Sequence, residues 1–267
     1  MTTLIILCAI GGSFIGLLNG MLGMGGSFIV IPLLDEVLIR MGIPQNVSHI
    51  MAVGTAPATI LFTCVSSYFA HRSHGAVRSD ILRRMGIGIF MGSLAGAFFV
   101  PYAPTTFLKF LFACVLFLMG LHLLFPRKAL ENTQENLGVL ELSGIFFGIL
   151  ASMTGLAGTL LCLTYLNWRG VPWRQAVGTS AGIGLIIAVT SAGGFMLSGW
   201  SQPDLPNYSL GYLYLPGMLC LIVPSMLMAR VGAFLVNWKK MPLNTMKKAV
   251  GAINLGMAVY VVFQAIA

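Results

Sequence analysis

The chain has 267 residues, of which 57% are hydrophobic and only 8% charged, against about 25% charged in an ordinary soluble domain. So few charges cannot cover a water-soluble protein of this size, which excludes a soluble domain and points to an all-α, polytopic transmembrane bundle whose partner is membrane lipid. The formal charge of +8 does not imply a nucleic-acid partner, because most Lys and Arg lie in short connections between apolar stretches, where membrane orientation places them.

Taken in order, the stretches long enough to span are roughly 3–22, 49–70, 85–104, 107–125, 138–154, 175–198, 210–236 and 245–266, eight in all by the criterion of about 20 apolar residues. Two further apolar pieces, 26–39 and 159–168, directly follow glycine clusters and are too short to cross comfortably. No Lys or Arg precedes the first stretch and no small-residue cleavage site leads into a polar domain, so a removable signal peptide is not expected. Cys8, Cys64, Cys114, Cys162 and Cys220 are scattered singly in apolar surroundings. They read as small buried hydrophobes.

Basic residues crowd the connections 71–84, 126–137, 167–174 and 237–248, whereas 101–106 and 199–211 carry none. All the basic connections fall on the cytoplasmic side only if each short piece returns the chain across part or all of the bilayer. Both termini are then periplasmic, and each half has an odd number of passes, so the second half is inverted relative to the first.

A sequence repeat supports the same division. Gly23-Met24-Gly25-Gly26-Ser27 corresponds to Gly155-Leu156-Ala157-Gly158-Thr159, and Ala52-Val53-Gly54-Thr55-Ala56 to Ala176-Val177-Gly178-Thr179-Ser180. Ile43-Pro44 answers Val171-Pro172 between them. The expected organisation is one membrane domain of two inverted repeats, 1–128 and 138–267, joined by a linker at 129–137, with eight long spans and two short broken-helix segments.

Glycine-rich breaks at matching positions of inverted halves mark the substrate site of many secondary transporters. A helix interrupted in hydrocarbon frees backbone amides that must find partners, and a half-helix beginning after the break favours an anion through its N–H groups and dipole. Gly23, Gly25, Gly26, Gly155 and Gly158 let the backbone approach such a ligand, and Ser27 and Thr159 can add hydroxyl donors. Thr55, Thr179 and Ser180 are candidates on equal footing with a simpler role, bonding their own helix carbonyls. Gly16-x3-Gly20, Gly92-x3-Gly96 and Gly251-x4-Gly256 read instead as close helix packing.

Asp35, Glu36, Glu131, Glu135 and Glu141 fall near segment ends, His49, His71 and His74 read as interfacial, and Arg230 as reaching back to the cytoplasmic face. The lack of a central carboxylate disfavours a cation pathway. His122 reads as a structural histidine. No GxSxG, HExxH or Walker A pattern occurs, so neither an enzyme nor a cofactor is expected.

At GMLGMGGSFIVIPLL (20–34), AVGTAPAT (52–59), HRSHGAV (71–77), GLAGTLLCLTYL (155–166) and AVGTSA (176–181), the chain resembles the TauE/SafE family of sulfite-exporter-like permeases. The resemblance covers nearly the whole length. It implies export of small sulfur-containing anions such as sulfite, sulfoacetate or other organosulfonates across the bacterial inner membrane, with the glycine clusters and the two threonine-containing turns lining the pathway. It departs from the pattern at Ala157, which replaces the middle glycine of the second cluster, and at Thr164, which stands where Pro32 stands in the first half. A passive anion channel and a structural or assembly membrane protein are the alternatives. A homo-oligomer is compatible with either half of this choice.

Overall fold

The structure, a computed structural model, describes residues 9–17, 26–73, 75–125, 137–156, 158–202, 205–239 and 243–266. Helix α1 (9–17) is followed by α2 (Ser27–Arg40), α3 (Gln45–Ser73), α4 (Ser79–Phe99) and α5 (Thr105–Leu124). The second half holds α6 (Leu137–Thr154), the short α7 (Thr159–Trp168), α8 (Trp173–Ser198), α9 (Leu215–Lys239) and α10 (Leu243–Ile266). The protein is an all-α membrane bundle.

Five of these helices are long and apolar enough to cross a bilayer, within α3, α4 with its following turn, α5, α8 and α10. Glu141–Thr154 and Leu215–Met228 are shorter apolar helical stretches. The expected span at 210–236 begins late because residues 209–214 form a hairpin, β1 (Ser209–Leu210) pairing with β2 (Leu213–Tyr214). Gly211 sits at its turn with φ +57°, where a Cβ would collide with the Met196 carbonyl at the end of α8. Residues 3–8 and 18–22 of the first expected span lie outside the described residues, as do most of the 129–137 linker and the side chain of Arg230.

Helix length explains why α7 does not cross. Ten residues rise about 15 Å, half of a hydrocarbon core. Its start is fixed by backbone conformation, since Gly155 and Gly158 both adopt φ +64°. The left-handed region carries no penalty for glycine but does for side chains with a Cβ. Gly155 terminates α6, and Gly158 is the N-cap of α7.

Glycines bring α4 and α6 together. A Cβ on Gly88 would collide with the Glu141 carbonyl, and one on Gly92 with the Ile145 carbonyl. One on Gly96 would lie 2.9 Å from the Ile149 carbonyl oxygen. From the other side, Gly144 and Gly148 meet the Met85 and Ile89 carbonyls at 2.5 and 2.6 Å. Spaced four apart, these residues form one small-residue face on each helix, the pattern by which membrane helices approach without a hydrophobic driving force. Gly16 packs likewise against the Ser225 backbone of α9, and Gly120 and Gly251 face each other's carbonyls across α5 and α10. Gly256 differs from this expectation, having nothing within 4 Å of a Cβ.

The two Gly-Thr pairs dock loops in a matched way. Thr55 Oγ1 donates to the Met51 carbonyl at 2.6 Å and accepts from the Tyr214 amide at 3.0 Å. A Cβ on the preceding Gly54 would lie 3.1 Å from the Tyr212 carbonyl oxygen. In the other half, Thr179 Oγ1 accepts from the Arg78 amide at 2.9 Å, and a Cβ on Gly178 would collide with the Ala76 carbonyl. In each case the glycine meets a carbonyl and the threonine binds the amide two residues further on. Tyr214 and Arg78 immediately precede α9 and α4, respectively.

These contacts sort the connections to two ends. The start of α3, the 100–104 turn and the hairpin region meet around a cavity of about 500 Å³ lined by Asn46, Ile50, Pro104, Gln202 and Tyr212 among others. At the opposite end the 75–78 connection docks on α8 near its start, which gathers Arg72, Arg78, Arg169 and Arg174. Of the described cysteines, Cys64 and Cys162 are buried as expected, but Cys114 is exposed.

Replacing Gly92 with Leu forces α4 and α6 apart and lowers thermal stability in detergent, by about 1–3 kcal/mol or more. Gly256→Ala leaves the melting temperature at or above wild type. Thr55→Val and Thr179→Val each remove the acceptor of a loop amide and destabilise by about 1–3 kcal/mol, whereas Thr→Ser at either position restores most of it. Chemical unfolding monitored by tryptophan fluorescence reads all of these, and equal stability of the valine variants and wild type would remove the docking role.

Candidate functional site

The expected site was built on two helix breaks, and the structure describes the second almost completely. Gly155, Leu156 and Gly158 carry the chain from α6 to α7, with Thr159, buried, as the first helical residue. This break is wedged into the other half of the bundle. A Cβ on Gly155 would lie 2.8 Å from the Ile31 side chain of α2 and 2.9 Å from the Val53 carbonyl of α3, while one on Gly158 would collide with Ile187 of α8. Ile31 is five residues into α2, so the two breaks lie near one another along that helix.

Of the first break, Gly26 and Ser27 are described, whereas Gly23 and Gly25 lie outside the described residues. Gly26 is the N-cap of α2, and a Cβ there would collide with the Ile15 side chain of α1. Ser27 opens the helix and is buried. Both half-helices therefore start inside the bundle behind a glycine N-cap, which has no side-chain oxygen to offer their first amides. Such an N-terminus favours a negative charge.

Thr55, Thr179 and Ser180 sit differently. The two threonine hydroxyls are engaged by the loop amides described above, and Ser180 donates to the Val177 carbonyl of its own helix at 2.9 Å. Gly155 comes against Val53, two residues before Thr55, so the second break and the first Gly-Thr pair are neighbours.

A seam of hydroxyls beside the second break was not foreseen. Ser152 and Thr154 occupy the last turn of α6. Ser191 Oγ of α8 donates to Ser152 Oγ at 3.2 Å, and Ser93 of α4 bonds Thr190. All five are buried. Their signal in the sequence was the run of Ser and Thr just before the break and at 190–191. Asn254 of α10 is also buried, and neither of its amide atoms is hydrogen-bonded among the described residues.

A second group departs from the interfacial reading of Asp35 and His49. Asp35 of α2 is 1% exposed and His49 of α3 2%. Ser48 Oγ donates to Asp35 Oδ1 at 2.6 Å, His49 Nδ1 lies 3.3 Å from Asp35 Oδ2, and Lys109 Nζ of α5 lies 3.6 Å from the same oxygen. Lys109, 3% exposed, was hidden in the sequence by the apolar run around it. Asp35 looks terminal because Arg40 and Gly42 follow it closely, but Ser48 and His49 near the start of α3 and Lys109 near the start of α5 lie against it.

The Sulfite exporter TauE/SafE family model matches residues 8–261. A probable membrane transporter protein of Haemophilus influenzae is 29% identical over 261 residues, covering 97% of this chain and 98% of its own. A probable membrane transporter protein of Methanocaldococcus jannaschii is 25% identical over 229 residues, 85% of this chain and 84% of its own. The Bacillus subtilis probable membrane transporter protein YdhB is 27% identical over 214 residues, 77% and 82% of the two chains. No solved structure matches. With a break-forming glycine motif in each half and a family match spanning nearly its full length, the chain is a multi-pass membrane protein that belongs to the TauE/SafE sulfite exporter family.

Proposed function

We propose that this chain is a secondary transporter of small sulfur-containing anions, such as sulfite, sulfoacetate and related organosulfonates, acting as an exporter in the bacterial inner membrane and without enzymatic chemistry. One observation carries the reading: α2 and α7 both begin in the buried interior behind glycine N-caps. Two helix N-termini aimed into an apolar bundle create positive potential that an anion can satisfy without any cationic side chain.

The ligand sites in this proposal are Gly23, Gly25, Gly26 and Ser27 on one side and Gly155, Gly158 and Thr159 on the other. The hydroxyls of Ser152 and Ser191 stand close to the second break. Thr55, Thr179 and Ser180 hold the surrounding helices and loops in place and touch the anion only if a bond described above is exchanged.

The matched Gly-Thr contacts support a duplication into repeats 1–128 and 138–267. The arginines gathered at the 75–78 end support a cytoplasmic placement of that end, with both termini periplasmic and the 500 Å³ cavity opening to the periplasm. Within this arrangement the repeats are inverted, and the two breaks approach the midplane from opposite sides.

Thermal-shift measurements on purified protein against sulfite, thiosulfate, sulfoacetate, taurine and simple carboxylates test the ligand class. Stabilisation by the sulfur anions at millimolar concentration is expected, following mass action, and stabilisation by none of them counts against the proposal. In proteoliposomes, saturable flux of the same anions is expected. Gly158→Val abolishes it, because valine cannot adopt φ +64° without strain and meets Ile187; Gly26→Val is expected to do the same. Flux that never saturates identifies a channel, and variants that alter folding but not flux identify a structural protein.

A further inference from the structure

Asp35, Ser48, His49 and Lys109 form a buried charge cluster that the anion site does not use. They come from three helices, α2, α3 and α5, and lie about one turn in from the end of the bundle that holds the cavity. With His49 neutral, Asp35 and Lys109 cancel. His49 directs Nδ1 at Asp35, while its buried Nε2 has no hydrogen-bond partner among the described residues. Other charged or titratable groups near the cluster are Tyr260 of α10 and the Glu36–Arg40 pair at the end of α2. That pair is exposed and screened by water, so it does not set the charge of the buried cluster.

His49 is held to a carboxylate through one ring nitrogen while the other has no partner among the described residues, so a proton can be taken up and released there while the ring stays in place. Ionisable groups buried in membrane proteins mark proton and ion pathways. Asp35 lies eight residues along α2 from Ser27, about 12 Å at 1.5 Å per residue.

We propose that His49 is the proton-coupling site of the transporter, and that one proton enters the cluster with each anion bound at the start of α2 and moves in the same direction. The sign follows from electrostatics. Protonation takes the cluster from neutral to +1, and at about 12 Å with an effective dielectric of about 20 this charge raises affinity for a monovalent anion about tenfold. By reciprocity the anion raises proton affinity by the same factor. A divalent anion accompanied by one proton leaves the cell as a net negative load, which an inside-negative potential expels. This proposal deepens the anion-transport reading and rests on it.

The test uses the full chain in liposomes loaded with a pH-sensitive dye, with an inward gradient of thiosulfate or sulfoacetate, neither of which changes protonation near neutrality. Acidification of the lumen in step with anion entry is expected. His49→Gln keeps a donor for Asp35 but takes no proton; it should carry anion without acidification, with apparent affinity lowered about tenfold and no longer dependent on pH. Anion entry by wild type with an unchanged lumen pH overturns the coupling and leaves the anion reading standing. Absence of flux for every anion tried overturns the anion reading and the coupling with it. Nitrogen-15 spectra of histidine-labelled wild type provide a check that needs no stable variant. Resonances of His49 that show no change of protonation at any pH at which the anion is carried overturn the proposal whatever the flux assay gives.

Discussion

In hydrocarbon, an amide without an acceptor costs several kcal/mol, and this constraint organises the bundle more than any single packing contact. Helices satisfy it by themselves; the chain becomes informative where they stop. Where the connections before α4 and α9 turn inward, their last amides are taken by Thr179 and Thr55. The preceding glycines leave room for the carbonyls two residues earlier. The Gly-Thr pair is thus a two-point dock for an incoming loop, used once in each half on a loop belonging to the other half. Each part of the chain supplies the acceptor for one loop amide of the other.

Much of this architecture was legible in the chain. The short pieces expected at 26–39 and 159–168 became α2 and α7 with boundaries within a residue or so, because glycine clusters write breaks locally and apolar length writes spans. The glycine spacing at 92–96 likewise carried its packing role. What escaped was set by distance in sequence. The meaning of Thr55 and Thr179 depends on amides 159 and 101 residues away, which no local pattern contains. The hairpin at 209–214 follows from a positive φ at Tyr208 and Gly211 inside a stretch whose composition reads as helix.

The charged cluster was missed for a related reason. Proximity to a segment end is not proximity to water: α2 is short, and Asp35 near its end is met by Ser48 and His49 from α3 and by Lys109 from α5. Lys109 four residues after Thr105 looks like an interfacial lysine on an isolated helix. It is 3% exposed because α2 brings a carboxylate to it. A charge in an apolar run is informative only when its partner is known, and here the partner lies 74 positions earlier.

The rigid and the interrupted parts of the bundle divide the work between them. Where α4 crosses α6, backbone meets backbone across glycines, and the helices cannot slide without opening a void or a clash. At the breaks, Gly26 and Gly158 meet the side chains of Ile15 and Ile187, which can change rotamer, whereas Gly155 meets both the Ile31 side chain and the Val53 carbonyl. On the transport reading proposed above, a site reached alternately from two sides needs some segments fixed and others free to shift. The α4–α6 contacts are of the first kind, and the isoleucine contacts of Gly26 and Gly158 are of the second. The same residue type serves both, and what sets its freedom is whether the atom opposite it belongs to the backbone or to a side chain, with Gly155 held by one of each.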